Sequence, residues 1–145
     1  MSKAAAAAKS APKQSVFAGQ LITILISVDT NTILANPSVD PSQVIFMTDN
    51  NAGGGSSGEG TDELNTACHL GDSIQWRITA QNQQTPVEFL AFRNSNGDVF
   101  GFNPPAGGPN QYQAEAIAQG QETYQILILV NGTQTYSWDP YVTCS

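Results

Sequence analysis

After Lys13 the chain contains no lysine, and the whole sequence holds one histidine, two cysteines and few charges. Each shortage excludes something. Only 12% of residues are charged, about half the usual share, so Gln, Asn, Thr and Ser must cover most of the surface. From Gln14 onward, Arg77 and Arg93 face all twelve acids, a net charge of −10. A body that acidic repels phosphate backbones, which argues against nucleic acid as a partner. The longest apolar run, Ile126 to Val130, has five residues, far short of the roughly 20 of a membrane span. The start, MSKAAAAAKSAPK, offers five alanines between lysines, where an export signal needs about 7–15 apolar residues. It reads as a disordered tail over residues 1–15, ahead of a single domain over 16–145. With no export signal the protein is expected in the cytoplasm; release by a route without a signal stays open. Cys68 and Cys144 are too few for a disulfide scaffold. They are expected as reduced thiols, with a single bridge between them left open.

Helical periodicity is also missing, and strand patterns fill its place. Leu21 to Val28 (LITILISV) puts Ile22, Ile24, Ile26 and Val28 on one face. Val44 to Met47 is a second run. Ser73 to Thr79 (SIQWRIT) alternates, with Ile74, Trp76 and Ile78 opposite Gln75, Arg77 and Thr79. Val87 to Phe92 and Val99 to Phe102 flank Asn94-Ser95-Asn96-Gly97-Asp98, a hairpin turn in which Gly97 takes a positive φ. Tyr112 to Ala118 suits a half-exposed strand. Thr123 to Val130 (TYQILILV) is the most apolar strand, and it runs into Asn131-Gly132, the strongest short hairpin signal. That turn also explains the Asn131-Gly132-Thr133 glycosylation pattern without modification. The chain returns through Tyr136 and Trp138, which share a face. Pro140 cannot donate to a ladder and holds Asp139 extended, so the strand bends at Asp139-Pro140 and resumes as Tyr141 to Cys144. Trp76, Trp138, Asp139, Pro140 and Tyr141 are thus expected as structural anchors. About eight short strands with frequent polar turns predict an all-β fold: an antiparallel β-sandwich, jelly-roll-like, behind a disordered N-terminal tail.

Residues 50–61, NNAGGGSSGEGT, carry five glycines in twelve positions. Ordering them costs much backbone entropy, so a mobile surface loop is expected. Hard oxygen ligands of the kind calcium prefers gather around it, but at no calcium-motif spacing. Asp49, Asn50, Asn51 and Asp62 from this region, with Asn103, Asn110 and Tyr112 from a second loop, are the candidate binding residues. Catalysis finds no support. His69 is alone, with no recognisable nucleophile partner, and Cys68-His69, being consecutive, would point to opposite faces of a strand. No catalytic residue, resident metal or cofactor is expected, with calcium as the single open exception.

Three stretches taken in order resemble the AidA/PixA-type bacterial inclusion body protein family: ILISVDTNTILANPSVDPSQ (24–43), GEGTDELNTACHLGDSIQWR (58–77) and WDPYV (138–142). The likeness covers about residues 18 to 144. It implies a small bacterial β-protein, in some members accumulating as intracellular inclusions and in some linked to host association. It brings no catalytic residues. With methionine only at Met1 and Met47, this chain departs from the methionine-rich members, and a methionine-storage role does not follow. The expected function is therefore non-enzymatic self-association, as a dimer or higher oligomer. The alternative is a lectin-like module that binds a host glycan.

Overall fold

The computed structural model describes residues 19–101 and 105–145, with the backbone alone at 94–96. The expected tail at 1–15 lies outside the described residues. Among the described residues, ten strands form two five-stranded sheets, and helix is nearly absent. β1 (Leu21–Val28) is flanked by β2 (Ile45–Asp49) and β4 (Ser73–Ala80); β4 is followed outward by β7 (Gln111–Glu115) and β6 (Ala106–Gly108). The second sheet runs β3 (Asn65–Cys68), β10 (Tyr141–Cys144), β8 (Gly120–Val130) and β5 (Val87–Asn96), with β9 (Gln134–Trp138) also on β8. No helix among the described residues is long and apolar enough to cross a membrane.

The alternation read from β1 and β4 is what builds the first sheet. They pair over eight residues, so Ile22, Ile24, Ile26 and Val28 stand beside Ile74, Trp76, Ile78 and Ala80, all buried. Tyr124, Ile126, Ile128 and Val130 of β8 meet them from the other sheet, and buried residues of both sheets form one core. Trp76 is its hub. Its ring stands edge-on to Phe92, Phe100 and Tyr124, and its Nε1–H donates to the Tyr124 hydroxyl at 2.9 Å. That bond satisfies an indole donor that burial would otherwise leave costly.

Two expectations about pairing are corrected. The sheets are mixed, because β1 pairs β4 in parallel and β10 pairs β3 in parallel. Between β1 and β4 the chain reverses as β2, crosses to the second sheet as β3, then arrives on β1's other side in β1's own direction. The turn at 94–98 closes no hairpin. β5 continues to Asn96 against β8, and residues 99–101 form a turn that buries Val99 and Phe100. Gly97 does take the expected positive φ, +110°, and a Cβ there would sit 2.4 Å from the Gln121 carbonyl oxygen, so the position needs glycine on both counts. A short helix, α1 (Thr30–Ala35), was not read from the sequence. Asp29 caps it by accepting from the Thr32 amide at 3.1 Å.

The C-terminal strand behaves as its sequence implies. Asn131 and Gly132 take φ of +56° and +68°, and the Thr133 amide donates to Val130 at 3.1 Å. β9 then returns along β8 with Tyr136 and Trp138 inward; the Trp138 Nε1–H donates to the Met47 sulfur at 3.2 Å. After the break at Asp139-Pro140, β10 resumes on the same side of β8 and in the same register, because the Tyr124 amide donates to the Pro140 carbonyl at 3.1 Å. Pro140, Val142 and Cys144 are buried, whereas Asp139 is exposed. Tyr141, expected as a structural anchor, is half-buried and points outward rather than into the core. Strand parity decides this: with Val142 inward, its neighbour must face the other way. Tyr141 still anchors through its backbone, whose amide donates to Leu64 at 3.0 Å.

Candidate functional site

The outer face of the first sheet is the complement of the core pattern. Leu21, Thr23, Leu25 and Ser27 of β1 alternate with the buried isoleucines, and Ser73, Gln75, Arg77 and Thr79 of β4 lie beside them in register. Phe46 and Thr48 extend the face on β2, and Gln111, Gln113 and Glu115 extend it on β7. Leu21 and Leu25 are about half exposed, at 50% and 53%. The Arg77 Nε–H donates to the Gln75 side-chain Oε1 at 3.0 Å, so the guanidinium lies along the sheet rather than upright. Glu115, the opposite charge, pairs with Ser73, four positions down the strand from Arg77, or about 13 Å away at strand spacing. A depression of about 400 Å³ lined by Leu25, Arg77, Thr79 and Gln111 indents this face.

The candidate residues of the glycine-rich segment have another use. Asp49 accepts from the Asn51 amide through Oδ1 and from the Thr66 hydroxyl through Oδ2, both at 2.8 Å. Asn50 Oδ1 accepts from the Thr23 amide at 3.0 Å, and Asn51 Nδ2 donates to the Ala67 carbonyl at 2.7 Å. Glu59 Oε1 accepts from the Asp49 amide at 2.9 Å; burial raises the Glu59 pKa, with the nearby Asp49 charge as a smaller contributor. The segment also bonds backbone to backbone: the Met47 amide donates to Thr61, the Gly60 amide to Met47, and Asn65 exchanges bonds with Ser57. The expected mobile loop is therefore tied on both sides. It covers the outer edge of β2 in one sheet and the outer edge of β3 in the other. Asp62 is half-buried, and that burial raises its pKa, with repulsion from Glu63 and Asp40 adding to it.

Asn110 and Tyr112 do the same for β5. Asn110 Nδ2 donates to the Val87 carbonyl at 2.6 Å, the Phe89 amide donates to Pro109 at 2.7 Å, and the Tyr112 ring stacks on Phe92 with centroids 4.7 Å apart. Asp49, Ile24, Trp76 and Tyr112 form one row across the first sheet. Asp49 and Tyr112 are thus three strand spacings apart, about 14 Å, with core side chains between them. The two loops are not brought together. Asn103, like Phe102 in the same segment, lies outside the described residues. A cleft of about 550 Å³ does reach Asn110, between it and the turn carrying Gln83, Gln84 and Thr85; Gln83 holds a positive φ of +57° there.

For catalysis, the geometry supplies one contact the sequence reading missed. His69 Nδ1 lies 2.9 Å from the Ser145 hydroxyl. Asp72, which would have to orient the ring in a triad, instead accepts from the backbone amides of His69 and Gln20 at 2.8 and 2.9 Å. The pair secures the chain end, with the Ser145 amide donating to Cys68 at 2.9 Å. Among the described residues, no three His, Cys, Asp or Glu side chains gather as a metal ion would need.

The model of a domain family of unknown function, DUF8788, matches residues 20–136. No curated protein matches the sequence. Among solved structures, the chain is similar to the crystal structure of the inclusion body protein PixA from Burkholderia cenocepacia J2315. The TM-score is 0.73 at 21% identity, over 92% of this chain and 100% of that one. At that identity the likeness is one of fold, and it falls on the same inclusion body group that the three sequence stretches resemble.

Proposed function

The chain belongs to the DUF8788 family, and from its fold and surfaces we propose that it is a non-enzymatic bacterial protein that self-associates through the outer face of its first sheet. In this reading the two sheets form a sandwich whose edges are closed by its own loops and whose broad face is left for another copy. Dense accumulation in inclusions, as the name inclusion body protein suggests for the PixA neighbour, is the corresponding larger-scale behaviour.

One observation carries the proposal: the charge pattern of the face is self-complementary. Arg77 and Glu115 are the charged residues on it, at opposite ends of a row of amides and hydroxyls, with half-exposed leucines alongside. Consider a two-fold axis between two such faces, perpendicular to the strands at the level of Gln75 and Gln113. It carries Arg77 of one copy over Ser73 and Glu115 of the other, twice over. Closed two-fold dimers are the commonest assembly, and few charges here need desolvating to form one.

Sedimentation velocity across micromolar concentrations tests it. The wild type should dimerise, Arg77→Glu and Glu115→Arg should each shift it toward monomer, and the double reversal should restore association. A strict wild-type monomer would reject self-association. A wild-type dimer indifferent to both reversals would reject this face while keeping the function.

A further inference from the structure

The two cysteines are 76 positions apart in sequence, yet they are register partners in the parallel pair of β3 and β10. Both side chains point inward, at 2% and 3% exposure, and both are free thiols. Partnered backbones in a sheet lie about 4.7–4.9 Å apart, inside the roughly 4.4–6.8 Å range of Cα separations that a disulfide spans. Side chains on the same side of a parallel pair also point the same way. Among the described residues, the one hydrogen bond a thiol donates is from Cys144 Sγ to the Ser145 carbonyl at 3.9 Å, and neither thiol is tied to another side chain. The register alone brings the two thiols to neighbouring positions on one face of the sheet, and closing a bridge asks the strands to draw their Cβ atoms together to about 3.5–4.5 Å.

We propose that Cys68 and Cys144 are a modification site, a reversible disulfide that staples the C-terminal strand to β3. The oxidant is a small-molecule disulfide of the glutathione class. A Cys144 thiolate attacks one of its sulfurs, forming a mixed disulfide and releasing the first small thiol. The Cys68 thiolate then attacks the Cys144 sulfur and releases the second. Two S–H bonds are lost and one S–S bond forms; two electrons reduce the external disulfide, and the two thiol protons end on the released thiols.

The surroundings set the rate. Burial raises both thiol pKa values, chiefly by desolvation, and the thiolate is the attacking species. The last residue also clamps the site, through the Ser145 amide on Cys68 and the Leu70 amide on Ser145. Oxidation therefore waits for β10 to fray from β3, and Cys144, which β10 carries with it, is the first thiol exposed. Once formed, the bridge encloses β4 through β9 in one covalent loop and prevents the fraying that admitted the oxidant.

The test equilibrates the native full chain in glutathione buffers of increasing oxidised fraction, then quenches with acid, alkylates and weighs the protein. The expected product has lost two hydrogens, takes up no alkylating agent, melts at a higher temperature and exchanges its β10 amides at least tenfold more slowly. Dithiothreitol should reverse all of these. Cys144→Ser and Cys68→Ser, each isosteric enough to keep the sheet, should lose the response. Two alkylatable thiols at every ratio, even in urea just below the unfolding transition, would overturn the proposal. So would glutathione carried separately on each cysteine.

Discussion

Glu122 is buried at the start of β8, with 0% exposure. Its Oε1 accepts from the Phe100 amide at 3.2 Å, and its Oε2 has no hydrogen-bond partner among the described residues. Burial raises its pKa above the ordinary 4.5; amides of Phe100 and Val99 partly oppose this, and repulsion from Asp98 adds to it. Because the folded state holds this proton more tightly than the unfolded chain, its contribution is fully present below about pH 4.5 and is lost as pH rises toward the raised folded value. The slope for one proton cannot exceed about 1.4 kcal/mol per pH unit. Glu122→Gln keeps the acceptor for Phe100 and removes the titration. In urea unfolding between pH 4 and pH 8, the variant should gain on the wild type as pH rises, then level off. By neutral pH the gain should approach the cost of an unsatisfied buried oxygen, about 1–3 kcal/mol. Glu59 and Asp62 are also raised by burial, but they are present in both proteins and cancel in the difference. A difference that is flat with pH, or that shrinks as pH rises, would refute the assignment.

Three further outcomes can be checked. Deleting residues 139–145 should abolish a cooperative melt or lower its midpoint strongly, since it strips paired amides from both β3 and β8, at roughly 1–3 kcal/mol for each buried group orphaned; an unchanged melt would sink the anchor argument. Asn51→Ala removes the side-chain bond to Ala67 and should cost about 1–3 kcal/mol, with faster hydrogen exchange along β3 but not β8. Deleting residues 1–13, which carry Lys3, Lys9 and Lys13, should leave the far-ultraviolet spectrum unchanged while weakening salt-sensitive association; loss of folded protein would place the tail in the core instead.

What was legible in the sequence was local. β1, β4, β8 and β9 announce themselves because one face of each is apolar at a period of two, and the Asn-Gly and Asp-Pro steps state their backbone requirements directly. β3 and β6 were missed because Asn65–Cys68 and Ala106–Gly108 have no such pattern; they become strands because a neighbour arrives to pair them. Parallel pairing was missed for a related reason, since direction depends on the path between sheets and not on the strand itself. In the glycine-rich segment, composition gave the entropic cost correctly. It could not show the offset, because the partners of Asp49, Asn50 and Asn51 are Thr66, Thr23 and Ala67, up to 27 positions away. Those side chains read as binding groups and serve as edge ties. The outer face was legible as the complement of the core, but its charge symmetry depended on the register of β7, which no local pattern sets.

The edge ties also constrain how copies can meet. β2 and β3 are covered by residues 51–61, and β5 by Pro109 and Asn110, so long strands offer little for strand-to-strand growth of the amyloid kind. Lysine guards are then unnecessary, which accounts for a β-rich body with none after Lys13. Association is left to faces. Four strands of five to eight residues give the first sheet an outer area of roughly 400 Å² per copy, or about 800 Å² buried in a pair, from strand spacing and rise. That is below the roughly 1,000 Å² of a stable specific interface, so the pair should be a weak one that dissociates on dilution through the micromolar range. A dense inclusion therefore needs a second contact of a different kind. The basic residues 1–13 against a body of net charge −10 supply one that salt weakens strongly, whereas the face, which adds leucine contacts to its two Arg77–Glu115 pairings, should be weakened less. Raising ionic strength should consequently dissolve large assemblies into dimers before it yields monomers, and a direct passage from assembly to monomer would mean that the two contacts are one.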